Sequence, residues 1–148
     1  AIALPEGFKV ENHILAMGGE LKNTFCLLKQ SEAILSPHIG DLKDACSYSD
    51  YKKMLALFKN LYQFTADEYA VDLHPAYMST RLGKELARAE SKRLHEVQHH
   101  HAHIAACLFE NQHPLSSPAV LAVVLDGLGY APEGLWGGEF ILADYRAY

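Results

Sequence analysis

No stretch of this 148-residue sequence approaches the apolar length needed to cross a bilayer. The opening Ala-Ile-Ala-Leu-Pro-Glu-Gly has no basic segment ahead of an apolar core. Neither a membrane partner nor a signal peptide is expected. Cysteine is scarce: Cys26, Cys46 and Cys107 are odd in number, far apart and form no C-x-x-C pair, which reads as a reducing, cytoplasmic setting. Positive charge is scarce too. Thirteen Lys and Arg stand against 18 Asp and Glu, for a net charge of −5, which argues against a general nucleic-acid binder. An anionic small molecule stays possible, because a few backbone N–H groups suffice to hold one. A Walker A sequence and the zincin motif are also absent; after His99 stands His100 where a zincin has Glu. The chain begins at Ala1 and not at Met, the mark of an excised fragment or a mature product.

Histidine, in contrast, is concentrated. Four of the nine histidines, His99, His100, His101 and His103, fall within five residues. If this segment is helical, the i, i+4 spacing of His99 and His103 stacks two imidazoles on one face, about 5–6 Å apart at Cβ. Two imidazoles so placed can bind one divalent ion. The alternative is an incidental pair, with His100 and His101 exposed or capping.

Hydrophobic residues make up 49% of the chain and charged residues 21%, enough for one packed domain or a large piece of one. Segments 13–17, 24–29 and 33–36 read as short strands joined closely enough to form an antiparallel meander. From Asp50, an apolar face of Tyr51, Met54, Leu55, Phe58, Leu61 and Tyr62 predicts an amphipathic helix, with Ser49 or Ser47 as its cap. A strand over 69–73, a helix over 77–90, a brief strand over 96–98, a helix over 99–110, a strand over 120–125, a loop over 127–138 and a strand over 139–144 follow. The order β-β-β-α-β-α-β-α-β-β, without repeats or linkers, predicts an α/β domain with a mixed sheet flanked by helices. Gly83 is an unfavourable residue in the second helix, by about 1 kcal/mol relative to Ala.

Four further features have a functional and a plain reading. Asp126 ends a strand and opens Asp126-Gly127-Leu128-Gly129-Tyr130; it is the best third metal ligand, since ligands gather at the carboxyl ends of strands in α/β sheets, or it simply starts a turn. Gly18-Gly19-Glu20-Leu21-Lys22-Asn23-Thr24 lies between two strands. Its glycines let backbone amides approach an anion while Lys22 and Asn23 add donors, or it is a hairpin turn. Gly137-Gly138 is a ligand-facing bend or a tight turn. Cys107 lies two turns beyond His100 and reads as a buried free thiol or a metal neighbour. His38, His74, His95 and His113 show no partner in the sequence.

Taken together, five ordered blocks resemble the carbamoyltransferase domain of the HypF family, the nickel–iron hydrogenase maturation factors. They are Leu15 through Thr24, Leu35 through Leu42, Asp72-Leu73-His74-Pro75-Ala76-Tyr77-Met78-Ser79-Thr80, Val97 through Ala105, and Asp126 through Tyr130 continuing to Trp136-Gly137-Gly138-Glu139-Phe140. Antibiotic O-carbamoyltransferases and TsaD-type tRNA threonylcarbamoyl transferases are more distant relatives.

The resemblance implies an actin/Hsp70/sugar-kinase-like (ribonuclease H-like) half-domain. It implies iron or zinc on His99 and His103 with Asp126 contributing. It places nucleotide or carbamoyl oxygens at backbone amides around Gly18, Gly19, Gly127 and Gly129, with Lys22, Asn23, Gly137 and Gly138 nearby. In the family, carbamoyl phosphate and ATP yield carbamoyl-adenylate, and the carbamoyl group passes to the C-terminal Cys of HypE. The sequence departs from the family pattern at Leu128, where Thr is expected, at Ala131, where Gly is expected, and at Pro37, where Gln is expected. The expectation is a first lobe, without the second lobe or other family domains and inactive alone. The competing readings are an O-carbamoyl or tRNA threonylcarbamoyl transferase and a non-catalytic metal-binding module.

Overall fold

The computed structural model describes residues 1–148. Its elements are β1 (Ile2–Ala3), β2 (Ile14–Ala16), β3 (Cys26–Lys29), β4 (Glu32–Leu35), α1 (Ala45–Leu61), β5 (Glu68–Asp72), α2 (Met78–Ala89), β6 (Arg93–Val97), α3 (His99–Glu110), β7 (Val120–Val124), β8 (Gly129–Ala131), β9 (Gly134–Trp136) and β10 (Glu139–Ala143). The main sheet has the order β1-β4-β3-β2-β5-β6. The expected meander is there: β2 pairs antiparallel with β3, and β3 with β4. Strands β5 and β6 then add in parallel beside β2, which makes the sheet mixed.

The register sorts side chains by face. Ile34, Leu27, Leu15, Tyr69 and Leu94 are cross-strand neighbours, so they share one face of the sheet. Tyr51 and Leu55 of α1 and Ala87 of α2 join that face in one buried core. Phe25 meets the rings of Tyr51 and Phe58 edge-on, at centroid distances of 6.0 and 5.3 Å. The buried Tyr51 hydroxyl donates to the Met17 carbonyl at 2.8 Å, satisfying both groups where water is excluded. The opposite face carries Ala16, Ala70 and Asp72. It is floored by small residues and borders the groove beside α3.

Several expectations need correction: β1 adds an edge strand outside the expected order, and β6 begins at Arg93 where the expected strand began at 96. Helix α1 starts at Ala45, not Asp50, and its cap is Asp44, whose Oδ1 accepts the Ser47 N–H at 2.8 Å. Asp caps as well as Ser does and also places negative charge at the helix N-terminus. The segment 127–138 is not only loop. Strands β8 and β9 pair within it as a small hairpin, too short for its alternation to stand out among the glycines. Lastly, β7 and β10 do not extend the mixed sheet. They pair with each other, Glu139 opposite Val124 through Ala143 opposite Val120. Their inner face, Val124, Ile141 and Ala143, packs on Ile104 and Leu108 of α3 as a second, smaller core.

Gly83 has a packing role that outweighs its poor helix propensity. A Cβ there would lie 2.4 Å from Val71 Cγ1 and 2.8 Å from Met17 Cγ, so the glycine lets α2 lie flat on the sheet. Gly83→Ala gains about 1 kcal/mol in helix propensity but forces overpacking that costs about 1–3 kcal/mol. A net loss of up to about 2 kcal/mol is expected in chemical denaturation. An increase in stability would show that the helix is not seated so closely.

Candidate metal centre

Strand β6 ends at Val97 and α3 begins at His99, with one residue between them. That residue, Gln98, is extended (φ −65°, ψ 134°), and its side-chain oxygen accepts the His101 N–H at 3.0 Å. The cap fixes the rotation of α3 at the carboxyl end of the sheet, and with it the direction of each imidazole. His99 and His103 lie on one face, ring centroids 4.8 Å apart, with their Nε2 atoms 3.3 Å apart. Asp126, two residues past β7, brings Oδ2 to 2.8 Å from His99 Nε2 and 3.4 Å from His103 Nε2. The three donor atoms all lie within 4.8 Å of one another.

This arrangement fits a first-row divalent ion. Donors about 2.1 Å from a tetrahedral centre stand about 3.4 Å apart, close to the spacings found here. Two neutral nitrogens and one carboxylate oxygen suit zinc or ferrous iron and leave coordination positions open for a ligand. His103 is 56% exposed, so that open side faces solvent. His99 is also held from behind: its Nδ1 lies 2.5 Å from Oδ2 of Asp72, the last residue of β5.

The electrostatics follow from these contacts. The hydrogen bond to Asp72 raises the His99 pKa above the ordinary imidazole value; partial burial opposes this, and the charges of Asp72 and Asp126 add to the rise. For Asp126, burial pushes upward, but the Gly127 N–H and the neighbouring His99 and His103 outweigh it and hold the carboxyl below its usual value. Burial, followed by the charges of Asp72, Asp126 and Glu20, raises the Tyr77 phenol. Tyr77 borders the site, stacked on His74 at 4.2 Å and edge-on to His99 at 6.4 Å.

Beside the three convergent donors, a groove of about 350 Å³ runs between α3 and the small-residue face of the sheet. Gly18, Gly19, Lys22, Thr24, Asp72, His99 and His103 line it, with Ala102 and Ala106 along the helix side. The Gly18–Thr24 segment is a tightly closed loop. Gly18 has φ +76°, and a Cβ there would fall 2.1 Å from the Thr24 carbonyl oxygen. Asn23, buried to 1% exposure, uses its amide hydrogens on the Met17 and Gly19 carbonyls at 3.2 and 2.6 Å. Its nitrogen therefore shapes the loop from inside, whereas Lys22 faces the groove. Glu20 is buried and accepts the Met78 N–H at 2.7 Å, capping α2, whose own cap residue Tyr77 makes no side-chain bond.

The other glycines stand outside the groove lining. Gly127 donates its N–H to Asp126 Oδ1 at 2.7 Å. Gly129 presses on the ring of His100, where a Cβ would lie 2.1 Å from Nδ1. The Gly137 carbonyl accepts from His100 Nε2 at 2.7 Å, and Gly138 sits against Leu125.

His100 is thus neither exposed nor a cap. It is fully buried and clamps both ends of the β8–β9 hairpin to α3, because the helix turns its imidazole about 100° away from that of His99. His101 bonds the Asp144 carbonyl at 2.8 Å. Cys107 is exposed, not a buried thiol, and is not among the convergent donors. Of the histidines without a visible partner, His95 pairs with Glu68 and His74 stacks on Tyr77. Asp72, Gln98, His100 and Tyr77 went unrecognised as site residues; the one local signal was Asp72's place at a strand end, before His-Pro.

Proton and metal compete for His99 Nε2, which fixes a sign. A raised pKa means that imidazolium stabilises the metal-free fold below about 6.5, the unfolded histidine value, and that this contribution fades as pH rises through the raised value. A metal replaces that proton, so its stabilising effect grows with pH. The Tm increase on adding one equivalent of zinc should be larger at about pH 8 than at about pH 6. Equal increases would count against His99 Nε2 as the donor.

Comparison with known proteins bears on this geometry. The family model described as the HypF Kae1-like domain matches residues 9–110, which include His99 and His103. A carbamoyltransferase HypF of Rhodobacter capsulatus is 40% identical over 148 residues, covering 99% of this chain and 20% of the relative. A carbamoyltransferase HypF of Synechocystis sp. is 39% identical over 141 residues, covering 95% of the chain and 17% of the relative. The crystal structure of full-length HypF in the phosphate- and nucleotide-bound form superposes with a TM-score of 0.85 at 36% identity, over 96% of this chain and 18% of that one. The chain therefore spans about a fifth of the length of the curated relatives it matches. With the matched segment carrying two of the three convergent donors, and the superposition running nearly end to end, this chain belongs to the HypF family, in its Kae1-like domain.

Proposed function

We propose that this chain is the first lobe of the transferase domain of a carbamoyltransferase, an actin/Hsp70/sugar-kinase-like (ribonuclease H-like) half-domain working in the cytoplasm. The reading rests on one observation above the others. His99 and His103 of the cluster line the same groove as Gly18, Gly19 and Lys22, so cation and anion-binding groups face one space. The substrate is carbamoyl-adenylate, formed from carbamoyl phosphate and ATP in another part of the whole protein. The acceptor is the thiol of the C-terminal Cys of HypE. The acceptor sulfur attacks the carbamoyl carbon, the carbon–oxygen bond to AMP breaks, and AMP leaves with the bonding electrons while the thiol proton passes to solvent. The product is an S-carbamoyl group, the precursor of a cyanide ligand.

A divalent ion on the three donors supplies positive charge against the phosphate oxygens of the leaving group. The chain's own residues do the rest. Lys22 offers an ammonium to the same phosphate, and the free amide hydrogens around Gly18 and Gly19 orient it. Asn23 keeps that loop rigid through its two carbonyl contacts. No side chain of the lobe needs to act as nucleophile, because the attacking sulfur belongs to the acceptor.

Equilibrium binding of AMP to the chain tests this, with and without one equivalent of zinc. Metal-dependent binding is expected, abolished in His99→Ala/His103→Ala. Losing the charged contact in Lys22→Ala should weaken it about tenfold or more. Metal binding indifferent to nucleotide would favour a non-catalytic metal module instead. In the whole protein, carbamoyl transfer to a HypE C-terminal peptide, compared with tRNA and a small alcohol, separates the three transferase readings.

A further inference from the structure

We propose that Asp72 makes His99 a metal ligand, by holding the ring hydrogen on Nδ1 and thereby leaving the Nε2 lone pair free to face the cluster. The inference rests on the metal reading above and concerns a positioning residue. Asp72 is a buried carboxylate, its side chain 7% exposed, with both oxygens in use. Oδ1 accepts the backbone N–H of His74 at 2.8 Å, and Oδ2 lies 2.5 Å from His99 Nδ1. The main chain around it is fixed as well. The Asp72 carbonyl accepts from Thr80 Oγ1 at 3.0 Å, and the Leu73 N–H donates to Val97 O at 2.9 Å, tying the end of β5 to the end of β6.

A carboxylate can only accept, and of the two that reach His99 the closer and more buried, Asp72 at 2.5 Å from Nδ1 against Asp126 at 2.8 Å from Nε2, takes the single ring hydrogen of the neutral imidazole. The second oxygen gives this pair its particular consequence. The partner of Oδ1 is a backbone N–H, which can never turn acceptor. An amide in place of the carboxylate accepts at one atom only, and the His74 N–H claims that atom. The NH₂ group is then directed at His99 Nδ1, which must become the acceptor. The hydrogen moves to Nε2 and covers the lone pair that faces His103 and Asp126. The near-isosteric substitution is therefore the damaging one, whereas removal of the side chain leaves the ring free to take either tautomer. A role limited to packing or folding predicts the reverse order, with Asn milder than Ala.

The experiment measures Co(II) affinity of the chain by competition, with the visible d–d bands as the spectroscopic signature, for wild type, Asp72→Ala and Asp72→Asn. The hydrogen-bearing nitrogen of His99 is read in the metal-free chain by long-range 1H–15N correlation, above the ring's titration range. Expected are a loss of about tenfold in Asp72→Ala and about 100-fold in Asp72→Asn. The metal-free ring should carry Nδ1–H in wild type and Nε2–H in the Asn variant. An Asn variant that binds Co(II) as well as or better than the Ala variant overturns the proposal, as does Nε2–H in the wild type. If the Asn variant does not fold, the wild-type ring alone decides. If the wild type binds no Co(II), the metal reading fails by itself, and the tautomer still tests the role of Asp72.

Discussion

The cap at Gln98 decides the direction of four imidazoles at once. By accepting the His101 N–H, it starts α3 immediately after β6 and leaves no slack in the rotation of the first turn. His99 and His103 then face the carboxyl end of the sheet, His100 turns inward to the β8–β9 hairpin, and His101 reaches the carbonyl of Asp144. A slip of one residue in that start would rotate the set by about 100° and exchange the buried ring for the ligating ones. The rest of the centre depends on this turn more than on any single ligand.

The cluster also lies where two packed bodies meet. One core joins α1, α2 and the mixed sheet; the other joins α3 with β7 and β10. His99 and His103 come from the helix of the second body, as Asp126 does from its ribbon, whereas Asp72 and the Gly18–Thr24 loop come from the sheet of the first. The Asp72–His99 contact thus bridges the bodies at the point where the groove opens. The small side chains Ala16, Ala70, Ala102 and Ala106 keep the space between them empty enough to admit a ligand. Large apolar residues on those positions would have merged the two cores and closed the site.

Much of this was legible in the sequence, for local reasons. The i, i+4 histidine spacing and the aspartate at the end of a strong strand are local patterns, and the fold brings His99, His103 and Asp126 together. The helix expected over 99–110 is α3, His99–Glu110, whereas the strand before it, expected over 96–98, begins at Arg93. Asp72 was not readable as a partner of His99. They are 27 residues apart, and only the parallel pairing of β5 with β6 sets their two strand ends side by side. His100 was misjudged because an imidazole in a polar run looks like surface, and its partner at Gly137 lies 37 residues on. The departure of β7 and β10 from the main sheet escaped for a related reason. Alternation tells which face of a strand is buried, not which sheet it joins.

The third convergent donor follows a ribbon that packs on α3 by one face only. A two-stranded ribbon is marginal by itself, and the outer face of this one is apolar, with Leu121, Val123, Phe140 and Leu142 all exposed. Asp126 therefore depends on more than the ribbon's packing on α3; further contacts fasten the neighbouring segment to that helix: the Gly137 carbonyl on His100, and the close approach of Gly129 to the same ring. Gly129 lets the backbone reach a buried imidazole where a Cβ would hold it off, whereas at Gly137 only the carbonyl is used and a Cβ would meet nothing within 4 Å. The Asp-Gly-x-Gly pattern, which in the sequence suggests ligand binding at the glycines themselves, here acts one step removed. The aspartate joins the two histidines, and Gly129 permits the packing that aims it.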